Sequence, residues 1–374
     1  MKIVHTYAKN MSINPKDPEK ITFADRWGLT LQSKLGHKVT LICGGYNKKR
    51  KEYFHKGIKI IELPILFELS SSTRIIKDLS KELKTINTDI FHSHHYCFLT
   101  PELTAIIGKI RKIPTFVTIH SSFKGREGII GIFERIYSIL MQPIMPFYSK
   151  VFFISNYIKS NSIFNLTSKK KKKITYNYFI KPKNIKVKRE ENEILYVGRL
   201  THLKGIDILF KIFSIIKKQH PNIKLNVVGD GSKKYKKKLE KLSKILKIKE
   251  NIVYHGELYG KEKWKQFYSN TVLIMPSRDE GFGNVAIEGM LCNIPTIVSN
   301  KGSLPEAVGK YGIIINIKDI PNSTKKIIEL LKDKEKRKGI AKKAKKYAEK
   351  FTEERLGKIL IEEYKKAIKN GKRI

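Results

Sequence analysis

Pro276-Ser277-Arg278-Asp279-Glu280-Gly281-Phe282-Gly283-Asn284-Val285-Ala286-Ile287-Glu288 is the stretch on which the reading of this chain turns. The apolar run before it, Val272-Leu273-Ile274-Met275, has the length of a short buried strand. Val285-Ala286-Ile287-Glu288-Gly289-Met290-Leu291 reads as the start of a helix. Between them, Gly281-Phe282-Gly283 lets the backbone come close to a ligand and turn its N–H groups toward it. The helix N-terminus adds partial positive charge, so the turn suits an anion such as a phosphate. Glu280 precedes the turn and Glu288 lies within the helix. Carboxylates beside a phosphate cradle make sense where they accept hydrogen bonds from hydroxyls, as on a ribose and a sugar. The alternative is a surface glutamate and a helix-start glutamate with no ligand, since glycine-rich turns are common.

The strand, the Pro-Ser-x-x-Glu-Gly-Phe-Gly turn and a second Glu eight positions after the first resemble the E-x7-E signature of retaining glycosyltransferases of family four. Val197-Gly198-Arg199-Leu200-Thr201-His202-Leu203-Lys204-Gly205 is similar to the same family's Gly-Arg-Leu-x-x-x-Lys-Gly segment, and Gly302-Ser303-Leu304-Pro305-Glu306 to its Gly-x-x-Pro-Glu turn. The resemblance covers most of the chain and is most specific from about 194 to 310. It implies an α/β protein of GT-B architecture, in which two Rossmann-like, doubly wound domains face each other across a cleft and a C-terminal helix crosses back to the first domain. The expected divisions are an acceptor-binding domain at 1–183, a nucleotide-sugar-binding domain at 184–350, and the returning helix at 351–374.

The same resemblance implies the chemistry. The donor is a UDP- or GDP-linked sugar, bound as a substrate with no cofactor and no metal, and the absence of an Asp-x-Asp motif fits that reading. Arg199 and Lys204 would neutralise the diphosphate, the first through two parallel hydrogen bonds and the second as a point charge. Gly281, Phe282, Gly283 and Asn284 would offer backbone donors beside them. Glu288 would hold the ribose hydroxyls and Glu280 those of the donor sugar. His120, at the tip of a strand, would sit by the transferred sugar. His120, Glu280, Arg199 and Lys204 are therefore the expected catalytic set. The family's first loop carries a Gly-Gly pair, whereas residues 8–20 here contain no glycine, so no role is carried over to that loop.

Composition bounds the partners. At 374 residues the chain has room for about two domains. Its three cysteines are scattered, which argues for a reducing compartment and against structural zinc. Met1-Lys2-Ile3-Val4-His5 reads as running straight into a strand rather than forming a secretory leader, so a cytoplasmic protein is expected. The net charge of +42 has three readings: a lysine-biased proteome, an anionic membrane surface, or nucleic acid. The excess is mainly lysine spread over helix faces with no nucleic-acid-binding motif, so the readings rank in that order and no specific nucleic acid is expected. The apolar segment 129–148 contains Glu134, Arg135, Pro143 and Pro146 and reads as a buried helix rather than a membrane span. The acceptor would be a glycan or lipid-linked glycan, with peripheral contact at the inner membrane face. A nucleotide-sugar epimerase of the same architecture and a basic nucleic-acid binder are the competing functions.

Both halves show a β-α rhythm, the pattern of parallel doubly wound sheets. In the first, strands are expected at 2–6, 38–43, 58–63, 89–95, 114–121, 151–155 and 174–177, with helices near 21–35 and 74–87. His92, His94 and His95 end one of these strands, where open sheets bind ligands, and are expected to line the cleft or cap elements rather than hold a metal. Ser155 is expected to cap the helix that follows it. The five lysines at 169–173 are expected in a solvated loop, and 179–193 as the linker. The second half repeats the pattern from 193, and its last helix, near 352–369, is expected to start from Thr352 as N-cap.

Overall fold

The computed structural model describes residues 1–9, 25, 27–70, 73–95, 99–121, 128–162, 168–180 and 185–371. It divides into two compact units. One holds the described residues up to Tyr178 together with Glu353 onward; the other spans Phe179–Thr352. The sequence placed these boundaries at 183/184 and 350/351. The difference has a local cause: Phe179 bridges to Thr352 and its N–H donates to the Phe351 carbonyl at 3.0 Å, which ties both crossing points into the second unit.

The first unit is built on strands β1 (Lys2–Tyr7), β2 (Lys38–Gly45), β3 (Lys51–His55), β4 (Ile58–Ser70), β5 (Thr73–Ile76), β6 (Ile90–His94), β7 (Thr115–Ile119), β8 (Lys150–Phe153) and β9 (Lys172–Ile174). The sheet order is β3-β4-β2-β1-β6-β7-β8-β9, with β5 paired to β4. All pairs are parallel except those of β3 and β5 with β4. Side chains alternate between faces as strand geometry requires. Ile3 and Ile90 meet Phe116, Phe152 and, from the C-terminal helix Glu353–Gly371, Leu360, Ile361 and Tyr364. Val4, Ile42, Ile61 and Phe91 pack on the opposite side against Leu79 and Leu83 of a helix at Leu79–Thr85.

Four expectations for this unit need correction. Residues 73–76 are strand, not the start of a helix, because the β-branched Ile75 and Ile76 pair with an extended β4. The last strand, expected at 174–177, runs instead over Lys172–Ile174, and the hairpin strand β3 has no counterpart among the expected strands. The lysine run is only partly a loop: Lys172 and Lys173 enter β9, and Lys173 pairs with Glu363 at 2.9 Å. The apolar segment forms a helix, Gly128–Leu140, but Ile132, Phe133, Ile136, Ile139 and Leu140 on it are exposed rather than buried. Ser155 does cap its helix, its Oγ accepting from the Ile158 N–H at 3.1 Å. The glycine-free loop lies, from residue 10 to 20, outside the described residues, as do 21–24 of the first expected helix.

The second unit is a six-stranded, wholly parallel sheet of β10 (Glu193–Val197), β11 (Lys224–Val228), β12 (Ile252–Gly256), β13 (Val272–Met275), β14 (Thr296–Ser299) and β15 (Ile313–Ile315). Their order is β12-β11-β10-β13-β14-β15. The chain winds one way from β10 and the other way from β13, which puts a topological switch point between these two neighbours. Helix α1 (Ile206–Gln219) buries Leu209, Phe210, Ile212, Phe213 and Ile216 against the sheet. Thr352 stands immediately before the last helix, and its hydroxyl donates to the Glu349 carbonyl at 2.9 Å.

Two backbone contacts pin the loop after β10. Gly205 has φ +70°, and a Cβ there would lie 1.9 Å from the Pro276 carbonyl oxygen. Gly229, at φ +136°, would put a Cβ 2.0 Å from the Gly198 carbonyl oxygen. Replacing Gly205 with alanine combines a left-handed backbone penalty with a backbone clash. The expected result is a loss on the order of 2 kcal/mol or more in urea unfolding; an unchanged midpoint would contradict this packing.

Candidate active site

At the switch point of the second sheet two loops lie side by side, 198–205 after β10 and 276–283 after β13. They are clamped together by Arg278. Its Nη1 and Nη2 donate to Asp207 Oδ1 and Oδ2 at 2.8 and 2.7 Å, a two-pronged fit of guanidinium to carboxylate. Nη1 also donates to the His202 carbonyl at 2.6 Å, and the Arg278 N–H to the Leu203 carbonyl at 2.8 Å. Burial pushes the Asp207 carboxyl up, but the Arg278 guanidinium outweighs it and holds the group below the usual carboxylate range.

The clamp sets the positions of the expected residues. Arg199 is exposed, and its guanidinium makes no ion pair among the described residues; its carbonyl accepts from the buried Tyr196 hydroxyl at 3.0 Å. Lys204 lies against Glu280 in a short ammonium–carboxylate contact. The Glu280 carbonyl accepts from the Ser303 N–H and hydroxyl, both at 2.9 Å, so the Gly302-Ser303 turn supports the glutamate from behind. Gly283 (φ +83°) starts helix α2 (Asn284–Leu291) in the left-handed conformation. The Phe282 ring is buried between Phe179 and Phe351, with centroids 6.2 and 5.3 Å away, so this residue offers a ligand only its backbone. Glu288, on α2, is 2% exposed. Its Oε2 receives Lys263 Nζ at 2.7 Å, and that ammonium also lies 4.9 Å from the Trp264 ring centre.

In the first unit, parallel register decides what surrounds His120. His5 on β1 pairs with His92 on β6, and His94 with Thr118 on β7. Residues two apart share a face, so His5, His92, His94 and His120 stand together. His92 and His94 are fully buried, which overturns their expected place as cleft-lining groups. His5 Nε2 meets Gln32 Oε1 at 2.9 Å, His5 Nδ1 meets His94 Nε2 at 2.9 Å, and His94 Nδ1 meets His120 Nε2 at 3.1 Å. His92 bonds the Tyr364 hydroxyl and Thr118 Oγ1. Trp27 lies flat on His94, centroids 3.9 Å apart.

His5, His92 and His94 bring ring nitrogens within 4.8 Å of one another, close enough to raise the question of a metal. The rings are stacked, with centroids 4.6 to 5.2 Å apart and planes 14 to 29° from parallel. Metal ligands instead aim their in-plane lone pairs at one point. Both nitrogens of each ring already have hydrogen-bond partners. The cluster fits a hydrogen-bonded stack and not an ion.

Residues 179–347 match the family described as Glycosyl transferases group 1, and residues 29–177 match Glycosyltransferase Family 4. An uncharacterised glycosyltransferase of Methanocaldococcus jannaschii is 32% identical over 71% of this chain and 72% of its own length. The chain is a group 1, family 4 glycosyltransferase. Among solved structures, Anabaena HepE in complex with UDP and glucose superposes with a TM-score of 0.73 at 16% identity, covering 97% of this chain and 98% of that one. A glycosyltransferase of Rickettsia africae gives 0.74 at 19% identity over 99% of both chains. These likenesses fix the fold of this glycosyltransferase as GT-B.

Several residues that shape the glycosyltransferase's loops and histidine cluster were not singled out from sequence. Asp207 and Arg278 carried no visible signal, because their pairing spans 71 positions. Lys263 was lost among many lysines. His5 did carry a signal: a polar ring inside an apolar strand needs a buried partner.

Burial is the main cause holding all four histidines of the cluster below the ordinary 6.5, His5 at about 4. With folded values below unfolded ones, the unfolded chain takes up protons first as pH falls. Stability is therefore complete above about 6.5 and lost below it, by up to about 1.4 kcal/mol per pH unit for each histidine. Urea midpoints should fall between neutral and mildly acidic pH, and His5→Gln should flatten that fall. A wild-type midpoint unmoved over this range would contradict the buried neutral cluster.

Proposed function

We propose that this glycosyltransferase moves a sugar, with retention of configuration and without a metal, from a UDP- or GDP-sugar to a glycan or lipid-linked glycan at the cytoplasmic membrane face. The observation that carries the donor reading is the Lys204–Glu280 contact beside the exposed Arg199, at the switch point of the second sheet. Cation, carboxylate and glycine turn converge where open α/β sheets bind nucleotides.

Each residue then has a task. Arg199 and Lys204 meet the diphosphate together with the N–H groups of the 281–284 turn, filling the charge-neutralising role that a metal plays elsewhere. A fixed donor aimed at developing charge is worth roughly a hundredfold in rate. Lys204 moves from carboxylate to phosphate when the donor binds, which leaves Glu280 to accept hydrogen bonds from the sugar hydroxyls. Glu288 accepts from the ribose hydroxyls. On the first unit, His120 is assigned to the transferred sugar as a neutral ring. The acceptor hydroxyl gives its proton to the departing diphosphate oxygen and attacks from the face that the diphosphate leaves, so configuration is retained.

The test is to incubate the protein with labelled UDP- and GDP-sugars and lipid extract, and to count released nucleotide and glycosylated product. Turnover should survive EDTA and fall about a hundredfold in Arg199→Ala and Lys204→Ala. No turnover with any donor would refute the proposal. Sugar conversion without an acceptor would replace it with epimerase chemistry.

The membrane part of the proposal draws on the helix Gly128–Leu140. Ile132, Ile136, Ile139 and Leu140 are exposed along one face, with Ile136 and Ile139 at 52% and 60%. No helix among the described residues is long and apolar enough to cross a membrane. An apolar helical face on a chain of net charge +42 suits the interface of an anionic leaflet. The protein should sediment with anionic vesicles far more than with neutral ones, and Ile136→Asp/Ile139→Asp should weaken this. Equal sedimentation with both vesicle types would contradict it.

A further inference from the structure

The buried histidine array has a direction, and that direction fixes which nitrogen chemistry His120 shows to the outside. Neutral imidazole has one N–H and one lone pair, so in a chain of such rings the proton position on one ring dictates the next. Here the rings are held neutral by burial and by one another. The chain is anchored at one end by Gln32, buried, with Oε1 facing His5 Nε2 at 2.9 Å. A carbonyl oxygen only accepts, so with the Gln32 amide in this orientation His5 carries its proton on Nε2. Its Nδ1 is then a lone pair, which must accept from His94 Nε2–H at 2.9 Å. His94 Nδ1 is in turn a lone pair, accepting from His120 Nε2–H at 3.1 Å. The remaining nitrogen, His120 Nδ1, is left unprotonated.

We infer that Gln32, His5 and His94 are positioning residues that lock His120 as the Nε2–H tautomer, so that its Nδ1 offers a lone pair to a donor-sugar hydroxyl. The contact with sugar rests on the function proposed above; the order of protons does not. Trp27, stacked on His94, and the Tyr364 and Thr118 hydroxyls, bonded to His92, hold the neighbouring rings in plane and limit any rearrangement. In this arrangement His120 selects a substrate hydroxyl that donates. It rejects a group at that place that only accepts, because two lone pairs would then face each other.

The experiment is a long-range proton–nitrogen correlation spectrum of the full chain with ring-labelled histidine, near neutral pH. His5, His94 and His120 should each show a protonated Nε2 and a bare Nδ1. A protonated Nδ1 on His120 would overturn the inference, and would mean that the Gln32 amide is turned the other way. Gln32→Met removes the anchor and should give His120 a mixture of tautomers, with kcat reduced roughly tenfold or more and the donor KM little changed. A single Nε2–H tautomer persisting in Gln32→Met would overturn the relay. If the spectra are as stated while His120→Ala transfers sugar as well as wild type, the proton order stands and the assignment of His120 to the sugar falls.

Discussion

The bidentate pairing of Arg278 with Asp207 is the constraint on which the second unit's loops depend. It joins a residue just after β13 to the first turn of α1, across the switch point where the sheet changes winding direction. A partly buried pair of this geometry gains from its two parallel hydrogen bonds what an exposed pair loses to solvent. With Gly205 pressed against the Pro276 carbonyl, it sets the spacing of the two loops that carry Arg199, Lys204 and Glu280. The Gly302-Ser303 turn adds a second support behind Glu280, and the Lys204–Glu280 pair joins the two loops at the side-chain level.

Charge is arranged in pairs around this clamp. Lys204 sits on Glu280 and Lys263 on Glu288, so each glutamate of the motif already has a cation at hand. The two pairs differ in depth. Glu280 and Lys204 are both partly open to water. Glu288 is buried, and stripping Lys263 from it would strand a charge in a poor solvent. The donor binding proposed above asks the shallower pair to exchange partners and leaves the deeper one in place.

Much of this was legible from residue order because βα repeats and glycine turns are local. The Pro276–Glu288 stretch showed its strand, its turn and its helix within a few residues, and the loop at 198–205 did the same. Features that depend on distant partners were not legible. Ile75 and Ile76 look helical or extended according to whether a strand lies alongside, and the long β4 supplied that strand. The apolar helix at 128–140 has a clear apolar face, but sequence does not say whether anything covers it. The histidines illustrate both cases. Their places on strands were visible, while their collection into one stack follows from the β1-β6-β7 register, which only pairing reveals.

The central claim is that the loops at the second sheet's switch point grip a diphosphate through fixed cations and backbone N–H groups. Calorimetric titration of UDP and GDP against UMP and GMP tests it directly, since the members of each pair differ only in one phosphate. The account predicts that one diphosphate binds at least about tenfold tighter than its monophosphate, a difference of about 1.4 kcal/mol. That advantage should vanish in the Arg199→Ala/Lys204→Ala double variant. Equal affinity for di- and monophosphate in the wild type, or an advantage that survives loss of both cations, would contradict it.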